Sequence, residues 1–306
     1  MAVFYALSGF LITRLIVKGE SGNVFKDLRT FYIRRFLRLG PLYYTFLTAL
    51  VVFARVKYPL LLYFYVYNIR VFLTNKWTDC ASHFWSLCIE EQFYFLFPIA
   101  LLLTPKKYRF HALAGTILLS HMISLLGPIL YPHFKWSASL PWCGQYILWG
   151  CLAGWLDTKL AKSVTLDKLF YGSTAVLIGL YLIHVLTPVA VSSVFYAPVI
   201  GAFVFSLWRL SNPHILKFTC NPVTVYLGKI SYAMYLFHLP LLWYSHNICP
   251  EAYKIPVTLV LTIGLAALSW HMFEEPISKW KDRFVFDGEK PEKAKPAPEL
   301  AVASTV

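Results

Sequence analysis

The sequence predicts an all-α protein: a polytopic transmembrane helical bundle with about nine crossings and one further interfacial or re-entrant helix. Three observations predict it. First, of the 306 residues 58% are hydrophobic and only 14% are charged, with a mean hydropathy of +0.57, whereas soluble chains carry about 25% charge. Second, apolar runs long enough to cross about 30 Å of hydrocarbon recur along the chain. Third, Lys and Arg gather in the short loops between those runs, as they do on the cytoplasmic side of membrane proteins. That placement also argues against a nucleic-acid partner, which the net charge of +13 would otherwise invite.

Each element follows from composition. The run 1–17 is apolar apart from Arg14, and Ser8-Gly9 within it reads as a close helix-packing face. The run 39–56 begins just after a basic stretch. Residues 58–74 hold Tyr58, Tyr63, Tyr65 and Tyr67 with Asn68 and Arg70, a mixture suited to an interface. The runs 84–103 and 110–130 flank Lys106, Lys107 and Arg109. The run 141–157 carries Gly150 and Gly154, again suited to close packing. The runs 168–187, 190–209, 222–246 and 254–276 complete the set. The composition divides the chain into a membrane domain, 1–283, and a polar tail, 284–306, which reads as a disordered cytoplasmic extension.

Loop charge decides whether 58–74 crosses. If it does not, 21 of the 28 Lys and Arg lie on one side and 6 on the other, with Lys229 inside a span. If it does, every later loop flips and the split becomes 11 against 16. The first arrangement obeys the positive-inside rule, so 58–74 is expected to lie at or dip into the outer face.

Four runs hold residues suited to chemistry. In the basic run from Phe31 to Pro41, Arg35 and Arg38 are three apart and share a helix side. They suit phosphate oxygens, which guanidinium groups grip bidentately, or lipid headgroups and topogenesis. The run His83-Phe84-Trp85-Ser86-Leu87-Cys88-Ile89-Glu90-Glu91-Gln92-Phe93-Tyr94 puts a histidine, two carboxylates and an amide at the head of a span. Ionisable groups there cost roughly 2.5–3.5 kcal/mol each to insert and usually mark a site. Glu90 and Tyr94 form an i, i+4 pair, with Glu91 turned about 100° away. His238, deep in a span, is either a base or a helix–helix hydrogen-bonding group, and Ser231, Tyr235 and His238 form a polar stripe. Glu274 and Glu275 end the last span before Pro276 and read as structural. The cysteines Cys80, Cys88, Cys143, Cys151, Cys220 and Cys249 make no C-x-x-C pair, and no H-E-x-x-H, phosphate-binding glycine loop or G-x-S-x-G occurs. No metal site is predicted.

Taken in order, Phe4 to Thr13, Arg34 to Tyr44, His83 to Pro98, Ile230 to Leu242 and Phe273 to Ile277 resemble the motifs of the acyltransferase-3 family. These are integral-membrane O-acyltransferases that modify cell-surface sugars, and the likeness spans nearly the whole chain. The resemblance implies a ten-helix bundle in the cell (inner) membrane that moves an acyl group from cytoplasmic acyl-CoA to a hydroxyl of a carbohydrate or glycolipid acceptor. Acyl-CoA would serve as co-substrate, with no tightly bound cofactor. By motif, the resemblance assigns Arg35 and Arg38 to the acyl-donor end and Glu90 and Glu91 to the site carboxylates. It adds His83, Tyr94 and His238 as further catalytic candidates. It also implies a first helix bearing the favoured catalytic histidine. Here Met1 falls just before the second-helix motif, so that helix is expected to be absent. The alternative is a non-catalytic membrane protein, either a truncated pseudoenzyme or a sugar or lipid transporter. The internal repeats common in transporters are not seen.

Overall fold

The computed structural model describes residues 1–54, 56–161, 163–187, 192–248, 250–281 and 283–284. The predicted tail beyond Phe284, together with Cys249, Arg55 and Lys162, lies outside the described residues. Among the described residues every regular element is helical. They are α1 (Ala2–Gly19), α2 (Val24–Ala54), α3 (Pro59–Tyr63), α4 (Tyr67–Thr74), α5 (Trp85–Leu103) and α6 (Arg109–Leu130), then α7 (Leu140–Lys159), α8 (Asp167–Leu186) and α9 (Ser193–Trp208). The last four are α10 (Pro213–Thr219), α11 (Pro222–Ile248), α12 (Lys254–Ser269) and α13 (Glu275–Lys281), with a π turn at Trp270–Glu274 joining α12 to α13.

Six of these segments are long and apolar enough to cross a bilayer, namely α1, α2, α5, α6, α8 and the α12–α13 unit. The α9–α10 pair, bent by 97°, makes a seventh if taken as one span. The sequence reading reaches nine by counting α7 and α11 too. These have 20 and 27 residues and are long enough, but they are more polar.

Loops predicted to share a side do meet. At one end Glu20, after α1, binds Lys106 at 2.7 Å and Arg109 at 2.9 Å, both from the α5–α6 turn. At the same end the buried Asp157 of α7 joins Arg14 of α1 and Arg209 at the end of α9, each at 2.7 Å, with Lys18 at 3.7 Å. At the other end the Lys57 amide donates to Asp79 at 3.0 Å, and the Lys135 amide donates to the Phe72 carbonyl at 2.8 Å.

The Glu20 cluster gives a pH prediction. Partial burial pushes the Glu20 carboxyl up, but hydrogen bonds from Lys106 and Arg109 outweigh it and hold the group below the ordinary value of 4.5. A depressed carboxyl stabilises the fold fully above its unfolded value and loses that contribution as pH falls through the folded one. Lys106 is largely exposed, so the contribution is at most about 1 kcal/mol. Thermal unfolding should therefore separate wild type from Glu20→Gln at neutral pH, with the gap closing below the ordinary glutamate range.

One boundary differs from expectation. The second span was placed at 39–56, yet α2 runs unbroken from Val24 for 31 residues. The charges in its first half lower hydropathy but not helicity, because Arg35 finds partners inside the bundle. Residues 58–74 form no crossing helix. They make α3 and α4, of 5 and 8 residues, on either side of Tyr65. Tyr43, eleven residues before the end of α2 and so about 16 Å along it, donates to the Leu62 carbonyl at 3.0 Å and stacks on Tyr65 at 4.6 Å. The segment thus dips back along α2 and is re-entrant.

The contact between α1 and α7 depends on glycine. A Cβ at Gly150 would sit 1.9 Å from the Ala6 carbonyl oxygen, and one at Gly9 would sit 2.0 Å from that of Ile147. At Gly154 the corresponding distance to Phe10 is 2.4 Å. Backbones pack against each other directly, as the small residues predict.

Candidate active site

Arg35 is set by the registry of α2 against α5. Its guanidinium lies over the Tyr94 ring, 3.5 Å from the centroid, and 3.8 Å from the Glu91 carboxylate. Stacking on an aromatic face is worth about 0.5–2 kcal/mol and fixes the plane of the guanidinium. The Tyr94 hydroxyl donates to Glu90 at 3.0 Å. That is the i, i+4 pair expected from spacing, and Glu91, the other carboxylate, turns toward α2. The Arg35 Nε is buried and has no hydrogen-bond partner. Its N–H is available to an oxygen entering from the cleft.

The cleft measures about 410 Å³ and lies between α2, the re-entrant turn and α5. Arg35, Glu91 and Gln92 supply its polar wall. Tyr65 stands at its edge with φ 53, a left-handed backbone that non-glycine residues rarely adopt and that clusters at functional sites. Gln92 holds this turn by donating to the Tyr65 carbonyl at 2.7 Å and to Asn68 at 2.8 Å. Asn68 in turn donates to the Ala138 carbonyl at 3.4 Å. Gln92→Leu is expected to release the turn at a cost of about 1–3 kcal/mol. Hydrogen exchange should then rise over 63–68 and stay unchanged in α1 and α7.

A second polar group sits one to two turns outward on the same helix. His83, in the 3-10 turn Ser82–Phe84, was expected at the outer boundary but is buried. The start of α5 packs against α11 there, closing over it. His83 Nε2 faces the Leu236 carbonyl at 3.3 Å, so that nitrogen carries the proton. Nδ1 is left as a buried lone pair with no partner. The His238 ring lies 4.9 Å away, and its Nδ1 donates to the Tyr235 carbonyl at 2.7 Å. The Tyr235 hydroxyl donates to the His83 carbonyl at 2.6 Å and lies 2.5 Å from Ser86 Oγ. Each histidine is therefore oriented by a backbone carbonyl and keeps one nitrogen for other work. His83 and Glu90 are seven residues apart, about 10 Å along the axis.

The structure gathers Arg35, Glu90, Glu91 and Tyr94 in one group and His83 with His238 in another. Arg38 is placed differently from Arg35. Side chains three residues apart diverge by about 60°. Tyr94 captures Arg35, while Arg38 stays exposed and lies outside the cleft lining, near enough to Glu274 to feel its charge. Ser231 bonds to the Gly228 carbonyl and does not join the histidines. Tyr65, Gln92, Ser86 and Tyr235 complete the two groups without having been singled out as site residues. For Tyr235 the spacing to His238 was a signal, whereas nothing local marked Tyr65.

The described residues thus form a helical bundle with membrane-length helices, an arginine–carboxylate cleft and a histidine pair in which His83 is buried and His238 half-buried. The chain belongs to the acyltransferase-3 family, whose acyltransferase-domain profile matches residues 1–273. A provisionally named O-acetyltransferase of Staphylococcus aureus (strain COL), SACOL0978, is 29% identical over 90% of this chain and 52% of its own length. O-acetyltransferase OatA of Staphylococcus aureus (strain NCTC 8325 / PS 47) is 28% identical over the same shares. The chain thus spans about half the length of the curated relatives it matches. No solved structure is significantly similar to it.

Proposed function

We propose that this domain is a membrane O-acetyltransferase of the cell (inner) membrane. In this reading it takes the acyl group from cytoplasmic acyl-CoA and delivers it to a hydroxyl of a cell-surface carbohydrate. The observation that carries the proposal is the Arg35 Nε, a buried cationic donor without a partner beside the Glu91 carboxylate. The acceptor hydroxyl attacks the thioester carbonyl, the C–O bond forms, and the C–S bond breaks to release a thiolate. A carboxylate or histidine takes the hydroxyl proton and returns it to the thiolate. Arg35 faces the oxyanion or a donor phosphate, a role that preorganised charge performs best in a dry site. Tyr94 holds Arg35 in plane, and the His83–His238 pair supplies a second base toward the outer side. The relatives' names make acetyl the first acyl group to try.

The test uses the full chain in nanodiscs with acetyl-CoA, reading free thiol and acetyl ester together. Acceptor-dependent thiol release with ester formation supports the proposal, and Glu91→Gln should lower it 10²–10⁴-fold. Uptake of acceptor into vesicles with no ester formed would support a transporter instead.

A further inference from the structure

We infer that the cleft receives its acceptor sideways from the bilayer, as a hydroxyl-bearing headgroup on a hydrocarbon tail. The inference rests on the proposed transfer reaction and names the class of acceptor. Its first support is the rim. Phe36, Phe64 and Phe95 all line the cleft, yet they are 57%, 73% and 61% exposed. The cleft therefore opens on the outside of the bundle between α2 and α5, through aromatic side chains.

The second support is depth. Phe36 lies about 18 Å along α2 from its start, and Phe95 lies about 15 Å along α5. Against a hydrocarbon core of about 30 Å, Phe95 stands near the middle of α5, whereas Phe36 lies at the edge of the apolar part of α2, next to its charged first half. The opening therefore runs from the edge of the hydrocarbon toward its middle. A lipid-tailed sugar already has its head at such an edge and its tail beyond it.

The third support is polarity. Exposed aromatics are common on this surface and mean little singly. These three differ because they also wall a polar interior of Arg35, Glu91 and Gln92. An apolar rim around a charged floor matches a molecule with a tail outside and hydroxyl or anionic oxygens inside. Arg35 Nε would take an oxygen and Glu91 a hydroxyl.

The experiment uses the full chain in nanodiscs and two readouts. In the first, a dodecyl glucoside with a diazirine near the head end of its tail is photolysed, and labelled peptides are mapped. The expected result is labelling of 32–44 and 91–96 that falls at least fivefold with excess dodecyl maltoside but not with maltose. Labelling spread equally over the exposed face of α8, with no competition, would overturn the inference. In the second, acetyl transfer from acetyl-CoA is compared between alkyl glucosides of increasing tail length and glucose. At least tenfold better use of the tailed acceptors is expected, with the advantage reduced in Phe36→Ser. Equal use of tailed and tail-free sugar would overturn the sideways route and leave the transferase reading intact. Competed labelling with no transfer to any acceptor would keep the site and sink the transferase reading.

Discussion

Gly150→Val is expected to leave the chain without a stable α1–α7 pair. The added Cβ would lie 1.9 Å from the Ala6 carbonyl oxygen and 2.6 Å from the carbonyl carbon, so a main chain must move. Overpacking against side chains costs about 1–3 kcal/mol, and backbone yields less readily than a rotamer. The α1–α7 interface is also where Asp157 joins Arg14, so spreading the helices breaks a buried ion cluster as well. Asp157 would then keep Arg209 but lose Arg14, which adds to the cost. The variant should aggregate on detergent extraction or elute as a broad, early species. Gly115→Ala is the control, because a Cβ there meets nothing within 4 Å, and it should behave as wild type.

Arg35→Ala is expected to lower acetyl transfer from acetyl-CoA by at least about 10². The substitution removes the cleft's cation and uncovers the Tyr94 face. It also leaves Glu91 half-buried without its arginine, 3.8 Å away in the wild type. Arg35→Lys separates charge from shape. Lysine restores a point charge but neither the planar stack on Tyr94 nor the fork of N–H groups. A partial rescue by lysine would show that charge carries most of the effect. No rescue would show that geometry does. Initial rates of thiol release across acetyl-CoA concentrations answer this, since a change confined to KM would make Arg35 a donor-binding group only. Unchanged rates in Arg35→Ala would remove it from the site.

Much of this architecture was readable beforehand because membrane helices obey few rules. Apolar length located α1, α5, α6 and α8. The imbalance of loop charge argued against a crossing at 58–74, and the two short helices there agree, although nothing in composition revealed that the segment folds back along α2 to Tyr43. The start of α2 was missed by fifteen residues, since hydropathy treats Arg29, Arg34 and Arg35 as a loop signal. A long helix tolerates such charges when a neighbour answers them. For the candidate site, local spacing predicted the Glu90–Tyr94 pair that the structure shows bonded, and motif likeness nominated Arg35, Glu91, His83 and His238. Their pairing was not legible, because Arg35 meets Glu91 across 56 positions and His83 meets His238 across 155. Those meetings depend on helix registry, which no short window contains. Arg38 lies outside the cleft lining for the same reason. A shared side on one helix says nothing about which residue the next helix captures.

The tie at Asp157 has a consequence for biosynthesis. Arg14 and its carboxylate are 143 residues apart in the chain. At about 5–20 residues per second, Arg14 is translated roughly 7–29 s before its counter-ion. During that interval α1 must wait in lipid, or beside the insertion machinery, with an unanswered cation and a bare glycine face. α1 is thus made well before α7 and is locked only once α7 arrives, so ribosome pausing ahead of α7 would lengthen its exposure to quality-control proteases.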